Sequence, residues 1–457
     1  MRTAIHTLPV SGINTYSFVD VRFMTLVAAN SASVAALYWS QTLVSEIAAA
    51  FPEAGLSSLV PAVTLAGYAT GAALIAFGPA ARGRLSIERH LLLLVIALAA
   101  VASAPNVAIV IMASYFVGCG SSVAQRLLAT AAQLGGPAAA GRAIGGVICG
   151  SLTAVLGVRL IGQDLGQTFG WRSVFLIAAA TVAVSGFLAF ATRATRAPSI
   201  EAATAPSTFQ VLWRSHALLR RAAFQQAALF AAFNASWMVA LVEVLAHERP
   251  LVVLGGCSAG LAAALAAGRL ADRPGQRHVT TLGAAAMLVS ASLLLPIAYG
   301  TITGSSQTLL LIVGMALLDA GMQVALVSNQ VRVQALQPFA RVRLAATLTV
   351  CGFLGGACGA GAGYWLTQAL NWQAAIGFAA IAACFGLACS LFPTVGKQSR
   401  VSRPGSRPHV ASNTDKKPSE TAELFQRCPN SRHLRWRQGA SAYEGAALRD
   451  EHTHKAG

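Results

Sequence analysis

The chain has few charged residues and, over most of its length, no lysine. Only 11% of its 457 residues are charged, and every lysine lies after position 394. No G-x-x-x-x-G-K-[ST] string occurs, so nothing in the sequence supports ATP coupling. None of the eight cysteines forms a C-x-x-C pair, and seven of them fall in apolar runs, where cysteine packs as a small hydrophobe. We therefore expect no metal site and no cofactor.

Apolar residues dominate and are gathered into long runs. They make up 55% of the chain, the signature of a membrane protein, and the runs approach the roughly 20 residues that cross a bilayer. Hydrocarbon offers the backbone no hydrogen-bond partner, so such runs must be helices. The sequence predicts an all-α polytopic membrane protein with twelve spans, at 23–44, 56–77, 90–104, 107–128, 143–161, 171–192, 222–245, 251–267, 279–299, 309–327, 344–366 and 372–392.

The basic residues behind the net charge of +17 are distributed as in a membrane topology and not as in a nucleic-acid-binding surface. Before position 394 there are 21 arginines. If the N-terminus is inside, 18 of them lie at inward-facing ends or loops, Arg172 and Arg249 face outward, and Arg159 lies within a span. This positive-inside bias predicts that both termini are cytoplasmic. The first run is too long for a cleaved signal peptide, so we expect it to be retained as span 1.

Interruptions between the runs predict four parts. Residues 193–221 are polar, basic and contain proline, and they leave six spans on each side. We expect an N-terminal bundle at 1–192, a cytoplasmic linker at 193–221, a C-terminal bundle at 222–393 and a disordered basic tail at 394–457. The tail holds 12 Lys or Arg against six Asp or Glu, so contact with anionic lipid is an alternative to free solvation.

One loop carries a recognisable motif. Between spans 8 and 9 the chain reads "GRLADRPGQR", in which we single out Gly268, Asp272, Arg273, Gly275 and Arg277 as a gating loop. Glycine lets the helices approach, and Pro-Gly ends the helix. The string closely resembles the loop signature of the major facilitator superfamily, which implies two pseudo-symmetric bundles that rock about a central cavity.

Other segments resemble the efflux permeases of that superfamily that are related to drug:proton antiporters. This implies a bacterial inner-membrane protein, a small-molecule substrate exchanged for protons, and a monomer. The segments are "ALYWSQTLVSEIAAAF" (36–51), "LVPAVTLAGYATGAAL" (59–74), "GRAIGGVICGSLTAVLGVRLIG" continuing to "GWRSVF" (141–175), "FAAFNASWMVAL" (230–241), "LLDAG" (317–321) and "SNQ" (328–330). There are two departures: the first-half loop at 77–90 lacks the Asp-Arg pair, and span 5 lacks a Gly-Pro pair.

Asp319 lies near the middle of span 10, where a charge costs several kcal/mol. The acid is tolerable if it faces a wet cavity, where it can bind a proton, a cationic substrate, or both. The alternative is a structural carboxyl that is hydrogen-bonded to a neighbouring helix or permanently paired with an arginine. We predict a proton-coupling role for Asp319.

Arg159 is the second ion within a span. It lies toward the outer end of span 5, so its side chain could instead extend to the membrane surface. The family resemblance places an arginine at this point among small residues. This implies a cavity or proton-coupling role, which we predict for Arg159 together with Asp319.

The resemblance implies that spans 1, 4, 7 and 10 line the cavity. Amides and aromatic rings there can hold an amphipathic organic molecule, although polar packing between helices is the alternative for each residue. Pairs three or four residues apart share a helix face. The predicted cavity residues are Asn30, Tyr38, Gln41, Gln125, Asn234, Trp237, Gln323, Asn329 and Gln330.

The sequence thus favours a secondary transporter that exports a small organic compound, such as a drug, a sugar or a nucleoside-like molecule, in exchange for protons. A membrane enzyme would need clustered catalytic side chains, whereas the histidines before the tail are dispersed among loops. The remaining alternatives are a proton-coupled importer and a degenerate member that senses rather than transports.

Overall fold

The computed structural model describes residues 20–52, 56–57, 59–78, 86–134, 136–196, 209–241, 249–271, 276–302, 304–337 and 340–391. The regular structure in these ranges is helical throughout. They lie within one compact unit that spans Met1–Gly396. A second unit, Lys397–Gly457, lies outside the described residues, as does the predicted disorder of the tail.

The first half of the molecule corresponds to predicted spans 1 to 6. Helix α2 continues α1 after a break at Leu43, and α6 continues α5 after a short turn. The helices are α1 (Val21–Thr42), α2 (Val44–Ala50), α3 (Leu59–Phe77), α4 (Ser86–Ala102), α5 (Val107–Ser121), α6 (Ala124–Leu134), α7 (Gly136–Phe169) and α8 (Trp171–Ala191).

The second half follows a short 3-10 turn, Ala194–Arg196, and corresponds to predicted spans 7 to 12. A short helix precedes six long ones. These helices are α9 (Phe209–Ser215), α10 (Ala217–Val239), α11 (Arg249–Ala271), α12 (Gln276–Ala298), α13 (Ser305–Gln334), α14 (Arg341–Ala369) and α15 (Trp372–Leu391).

Ten spans in the described part of the chain are long and apolar enough to cross a membrane. The two further helices, α4 and α10, occupy the positions of predicted spans 3 and 7. Helix α4 has only 17 residues, and α10 carries several amides and arginines. An all-helical polytopic architecture is therefore confirmed, whereas twelve crossings remain a prediction.

Several helices extend beyond the apolar runs that predicted them. Helix α7 spans 136–169 where the run covered 143–161, and α13 spans 305–334 where the run covered 309–327. Helix α10 begins at Ala217, inside the predicted linker 193–221. Hydropathy identifies only the part of each helix that is apolar enough for the hydrocarbon core. The helical backbone hydrogen bonds continue beyond it into the polar residues at each end. The helix boundaries consequently differ by several residues.

The two halves repeat one packing pattern. In the first half α1 packs on α7 and α8, α3 on α5, and α4 on α5 and α8. In the second half α10 packs on α14 and α15, α11 on α13, and α12 on α13 and α15. The spans that pack together in the second half hold the same places in the order of their half as the spans that pack together in the first half. The molecule is therefore built from two pseudo-symmetric bundles.

Glycines bring the helix backbones together within each bundle. A Cβ placed on Gly118 of α5 would overlap the carbonyl oxygen of Thr64 in α3. On α14, Gly355 and Gly359 lie in the same way against the backbone of α10. Because lipid tails are as apolar as the helix surfaces, such close van der Waals packing supplies much of the association energy in a membrane.

The halves meet through α3 with α14, α1 with α10, and α7 with α11. The Tyr68 ring stacks on Phe353 with centroids 4.1 Å apart. Gln41 Nε2 donates to Asn234 Oδ1 at 3.0 Å. These contacts position one surface of each bundle around the site described next.

Candidate functional site

Asp319 lies at the middle of α13 and is 5% exposed. Two glycines of α11 make room for it. A Cβ on Gly260 would stand 3.1 Å from Asp319 Cβ, and one on Gly256 would stand 3.4 Å from Asp319 Oδ2. The contact between α11 and α13 is therefore fitted around this carboxyl.

The two carboxylate oxygens have different partners. Trp237 Nε1 of α10 donates to Asp319 Oδ2 at 2.9 Å. Asp319 Oδ1 lies 3.9 Å from Arg159 NH1, an ion pair that is too long for a hydrogen bond. The structure thus brings the two predicted coupling residues together. Their separation does not fit a closely bonded, permanent pair.

Arg159 is 1% exposed, although it belongs to α7 in the other half of the molecule. Its guanidinium carbon lies 3.7 Å from the centroid of the Trp237 ring, with the Tyr38 and Phe233 rings at 5.2 and 5.4 Å. These faces stabilise a cation by cation–π attraction. Burial among aromatic rings argues against extension of the side chain to the membrane surface.

The nitrogen atoms of Arg159 are unequally partnered. NH1 donates to Cys257 Sγ at 3.7 Å and faces Asp319. Nε and NH2 are buried and have no hydrogen-bond partner among the described residues. Unpartnered buried donors are costly, and those of an arginine more so than neutral ones. The site therefore has donor capacity that these protein contacts do not use.

A cavity of about 80 Å³ adjoins this cluster. At about 30 Å³ per water molecule, it has room for about two or three. Its wall draws on both halves, since α1 and α7 belong to the first and α10, α11 and α13 to the second. It is lined by Val34, Tyr38, Ser151, Leu152, Val155, Arg159, Phe233, Cys257, Gly260, Asp319 and Gln323. The arrangement combines an ion pair, three polar side chains and an apolar wall.

Only two of the nine predicted cavity residues, Tyr38 and Gln323, line this cavity. Asn30 lies next to it, donating from Nδ2 to Ser151 Oγ at 2.6 Å. Gln41 and Asn234 instead bond to each other across the halves. Trp237 does not line the cavity, but it contacts both Asp319 and Arg159.

The remaining predicted cavity residues, Gln125, Asn329 and Gln330, do not line this cavity. Gln125 Nε2 donates to Tyr68 Oη at 2.9 Å. Asn329 Nδ2 donates to Gln226 Oε1 at 3.2 Å, and both amides are buried. Gln330, next to Asn329 on α13, is half-buried. These contacts match the alternative of polar packing between helices.

The gating loop is only partly described. Asp272, Arg273 and Gly275 lie outside the described residues, and Gly268 falls within α11 near its end. Arg277 lies in the first turn of α12 and donates to the Ser390 carbonyl at 3.1 Å and to the Leu391 carbonyl. Arginine at the end of α15 is favourable, because carbonyls at a helix C-terminus carry partial negative charge.

Sequence reasoning missed Phe233, Cys257, Gly260 and Ser151. Phe233 precedes Asn234 and lies four residues before Trp237, so helical spacing alone could have placed it on the Trp237 face. Gly256 and Gly260 stand four apart, a spacing that marks close helix contact. Neither signal names the partner, because Trp237 and Asp319 are 82 residues apart in the chain.

Comparison with known proteins agrees with this architecture. Residues 250–438 match the family model of the Major Facilitator Superfamily. The uncharacterized transporter YgaY of Escherichia coli, from O157:H7 and from strain K12, is 29% identical over 360 residues, which cover 76% of this chain and 87% of the relative.

The fold also matches a solved structure. It superposes on the partially occluded, inward-open xylose transporter XylE of E. coli with a TM-score of 0.61 at 14% identity, over 82% of this chain and 98% of that one. At this identity the match shows the fold alone. Taken with the sequence matches, it confirms the resemblance, and the members concerned are transporters rather than enzymes.

Proposed function

We propose that this chain, a transporter of the major facilitator superfamily, moves a small organic molecule across a membrane by proton-coupled alternating access. One observation carries the proposal. Arg159 of the first bundle and Asp319 of the second face each other at 3.9 Å beside a cavity between the bundles. A relative movement of the bundles changes that distance directly.

Proton coupling follows from the electrostatics of this pair. With Asp319 ionised, attraction between the two charges is about 4 kcal/mol at this separation for an effective dielectric constant near 20. Proton binding to Asp319 removes the attraction and leaves Arg159 held by its aromatic neighbours. The protonation state of one carboxyl therefore biases how readily the bundles separate around the cavity.

Two forms of coupling are open to this site. Resemblance of the sequence to efflux permeases supports export of the substrate in exchange for protons. The second candidate is inward movement of substrate and proton together, and it is favoured by the unpartnered Nε and NH2 of Arg159. Protonation of Asp319 leaves those donors without a neighbouring negative charge.

The setting that we propose is the bacterial inner membrane, with a monomer whose termini are both cytoplasmic. The described arginines support this orientation. Arg22, Arg193, Arg221, Arg277 and Arg332 lie at the helix ends predicted to face the cytoplasm. An excess of arginine at one end of a bundle is the usual mark of its cytoplasmic side.

A two-stage experiment tests the function. A growth-inhibition panel of antibiotics, dyes and organic acids first compares cells with and without the protein and selects one compound. Uptake of that labelled compound is then measured in proteoliposomes with and without an acid-outside gradient. Gradient-dependent flux that Asp319→Asn abolishes supports the proposal, and its direction separates exchange from co-transport.

Flux that ignores the gradient contradicts proton coupling. Complete absence of flux for the selected compound would instead favour the degenerate sensor, to which the altered first-half loop at 77–90 pointed. Glu46→Gln is the matched control, because Glu46 lies in the short helix α2 and does not line the cavity. The control should keep the gradient response of the wild type.

A further inference from the structure

Arg159 offers one complete edge of its guanidinium group for a ligand. The unpartnered atoms, Nε and NH2, are adjacent on that edge. Their N–H bonds point roughly parallel, a geometry that matches two oxygens of one carboxylate. NH1, on the opposite side, already faces Cys257 and Asp319. The two sides of the group therefore have separate roles.

The cavity wall gives the character of the rest of such a ligand. Val34, Leu152, Val155 and Phe233 form an apolar wall, while Tyr38, Ser151 and Gln323 add polar groups. An apolar body can pack on the first set without losing hydrogen bonds. A cationic head would face the buried guanidinium at short range and be repelled.

We propose that the site binds an amphipathic organic anion, with its carboxylate on the Nε and NH2 edge of Arg159 and its body along the apolar wall. This rests on the proposed function in placing the substrate in this cavity, and it names the substrate class. Both donor atoms are enclosed in the present state, so the anion reaches them as the bundles move apart.

Charge balance links the anion to the proton. The titratable and charged groups around Asp319 are Arg159 from α7, Tyr38 from α1 and Cys257 from α11, while α10 contributes the neutral Trp237. With Asp319 ionised, the Arg159 pair has no net charge. Protonation leaves one positive charge, which attracts an anion. Proton and anion therefore bind together, which favours the co-transport form of coupling.

Three probes with one ring and different head groups test the substrate class. Purified full-length protein in detergent is titrated by calorimetry with benzoate, benzamide and benzylamine. We expect saturable benzoate binding at least about tenfold tighter than that of the other two, because charge-assisted bidentate bonds are the strongest kind. Absence of saturable benzoate binding, or benzylamine binding as tight as benzoate, overturns the proposal.

Arginine variants test the residue. Arg159→Lys keeps the charge and loses the planar fork, so benzoate affinity should fall about tenfold or more. Arg172→Lys is the matched control, because Arg172 stacks on Trp171 and donates to the Ala104 carbonyl, away from the cavity. Unchanged affinity in Arg159→Lys overturns the assignment. If that variant does not fold, the three-probe comparison in wild type decides alone.

The linkage to protons is tested by repeating the benzoate titration from about pH 5 to pH 8, where benzoate stays ionised. Wild-type affinity should rise as the pH falls, and Asp319→Asn should bind tightly at every pH. Equal pH profiles in the two proteins overturn the linkage. If benzoate binds but the transport assay shows no gradient-dependent flux, the proposed transport function is rejected while the anion site stands. Failure of the anion site and failure of the transport function are therefore distinguishable.

Discussion

The Asp319→Asn substitution removes a charge and keeps the shape of the side chain. The asparagine oxygen can still accept the bond that Trp237 Nε1 makes to Asp319 Oδ2 at 2.9 Å. What disappears is the attraction to Arg159 across 3.9 Å, worth about 4 kcal/mol for an effective dielectric constant near 20. What also disappears is the desolvation penalty of a buried carboxylate, several kcal/mol.

These two terms oppose each other and are of similar size. We therefore expect Asp319→Asn to accumulate and fold, with Arg159 still held over the Trp237 ring at 3.7 Å. Removal of one partner from a buried ion pair usually costs about 3 to 5 kcal/mol, because the other charge is left uncompensated, and the aromatic rings around Arg159 reduce that cost here. Thermal unfolding in detergent, with Glu46→Gln alongside, measures the net change.

The functional effect should be much larger than the stability effect. A side chain that cannot take up a proton cannot couple a proton gradient to substrate movement, so gradient-dependent flux should vanish. Trp237 provides a second readout that needs no substrate, because its indole bonds the titrating group. Wild-type tryptophan fluorescence should change with pH, and the change should be absent in Asp319→Asn and in Trp237→Phe.

Two results would refute this reasoning. A variant that responds to the gradient across the pH range as the wild type does would show that Asp319 carries no coupling proton. A pH-dependent fluorescence signal that survives in both variants would show that the titrating group lies elsewhere. Either outcome would leave Asp319 as a structural carboxyl bonded to a neighbouring helix.

Glycine substitutions give further predictions. Gly260→Ala should alter the pH dependence of flux with little loss of thermal stability, because its Cβ would displace Asp319 by a few tenths of an ångström. Gly255→Ala is the control: its Cβ would lie 2.8 Å from Ile312 Cγ2, so we expect lower thermal stability and unchanged coupling. Gly118→Ala should prevent accumulation in membranes, because its Cβ would overlap the Thr64 backbone; normal expression would contradict the packing of α3 on α5.

The sequence predicted the positions of most helices because hydrocarbon imposes a strong local rule. A run of apolar residues near bilayer length must be helical wherever it occurs. The same rule made Asp319 and Arg159 conspicuous, since a charge in such a run needs compensation. Both residues could therefore be identified without any knowledge of the fold.

Partners could not be predicted in the same way. Helical spacing relates Asn234 to Trp237 or Asp319 to Gln323, but it says nothing about contacts between helices. The pairing of Trp237 with Asp319, and of both with Arg159, depends on how three helices cross. Family resemblance implied that spans 1, 4, 7 and 10 line the cavity, whereas the observed lining comes from spans 1, 5, 7, 8 and 10, and span 4 contributes none of it. Within span 10, Asn329 lies against Gln226 and not in this lining.

Helix α10, the least apolar of the long helices, shows how polar bonds are divided between those within a bundle and those between the bundles. Its polar side chains make specific bonds: Gln225 to the Gly386 carbonyl, Gln226 with Asn329 and Trp237 with Asp319, all inside the second bundle. Asn234 instead pairs with Gln41 of the first bundle. In the proposed alternating access, bonds of the first kind would hold a bundle together as it moves, whereas a bond of the second kind would break when the bundles part. A single amide pair costs little to exchange for water, about 1 kcal/mol net. An alternating-access protein needs that division, with many bonds inside each bundle and weak, reversible ones between them.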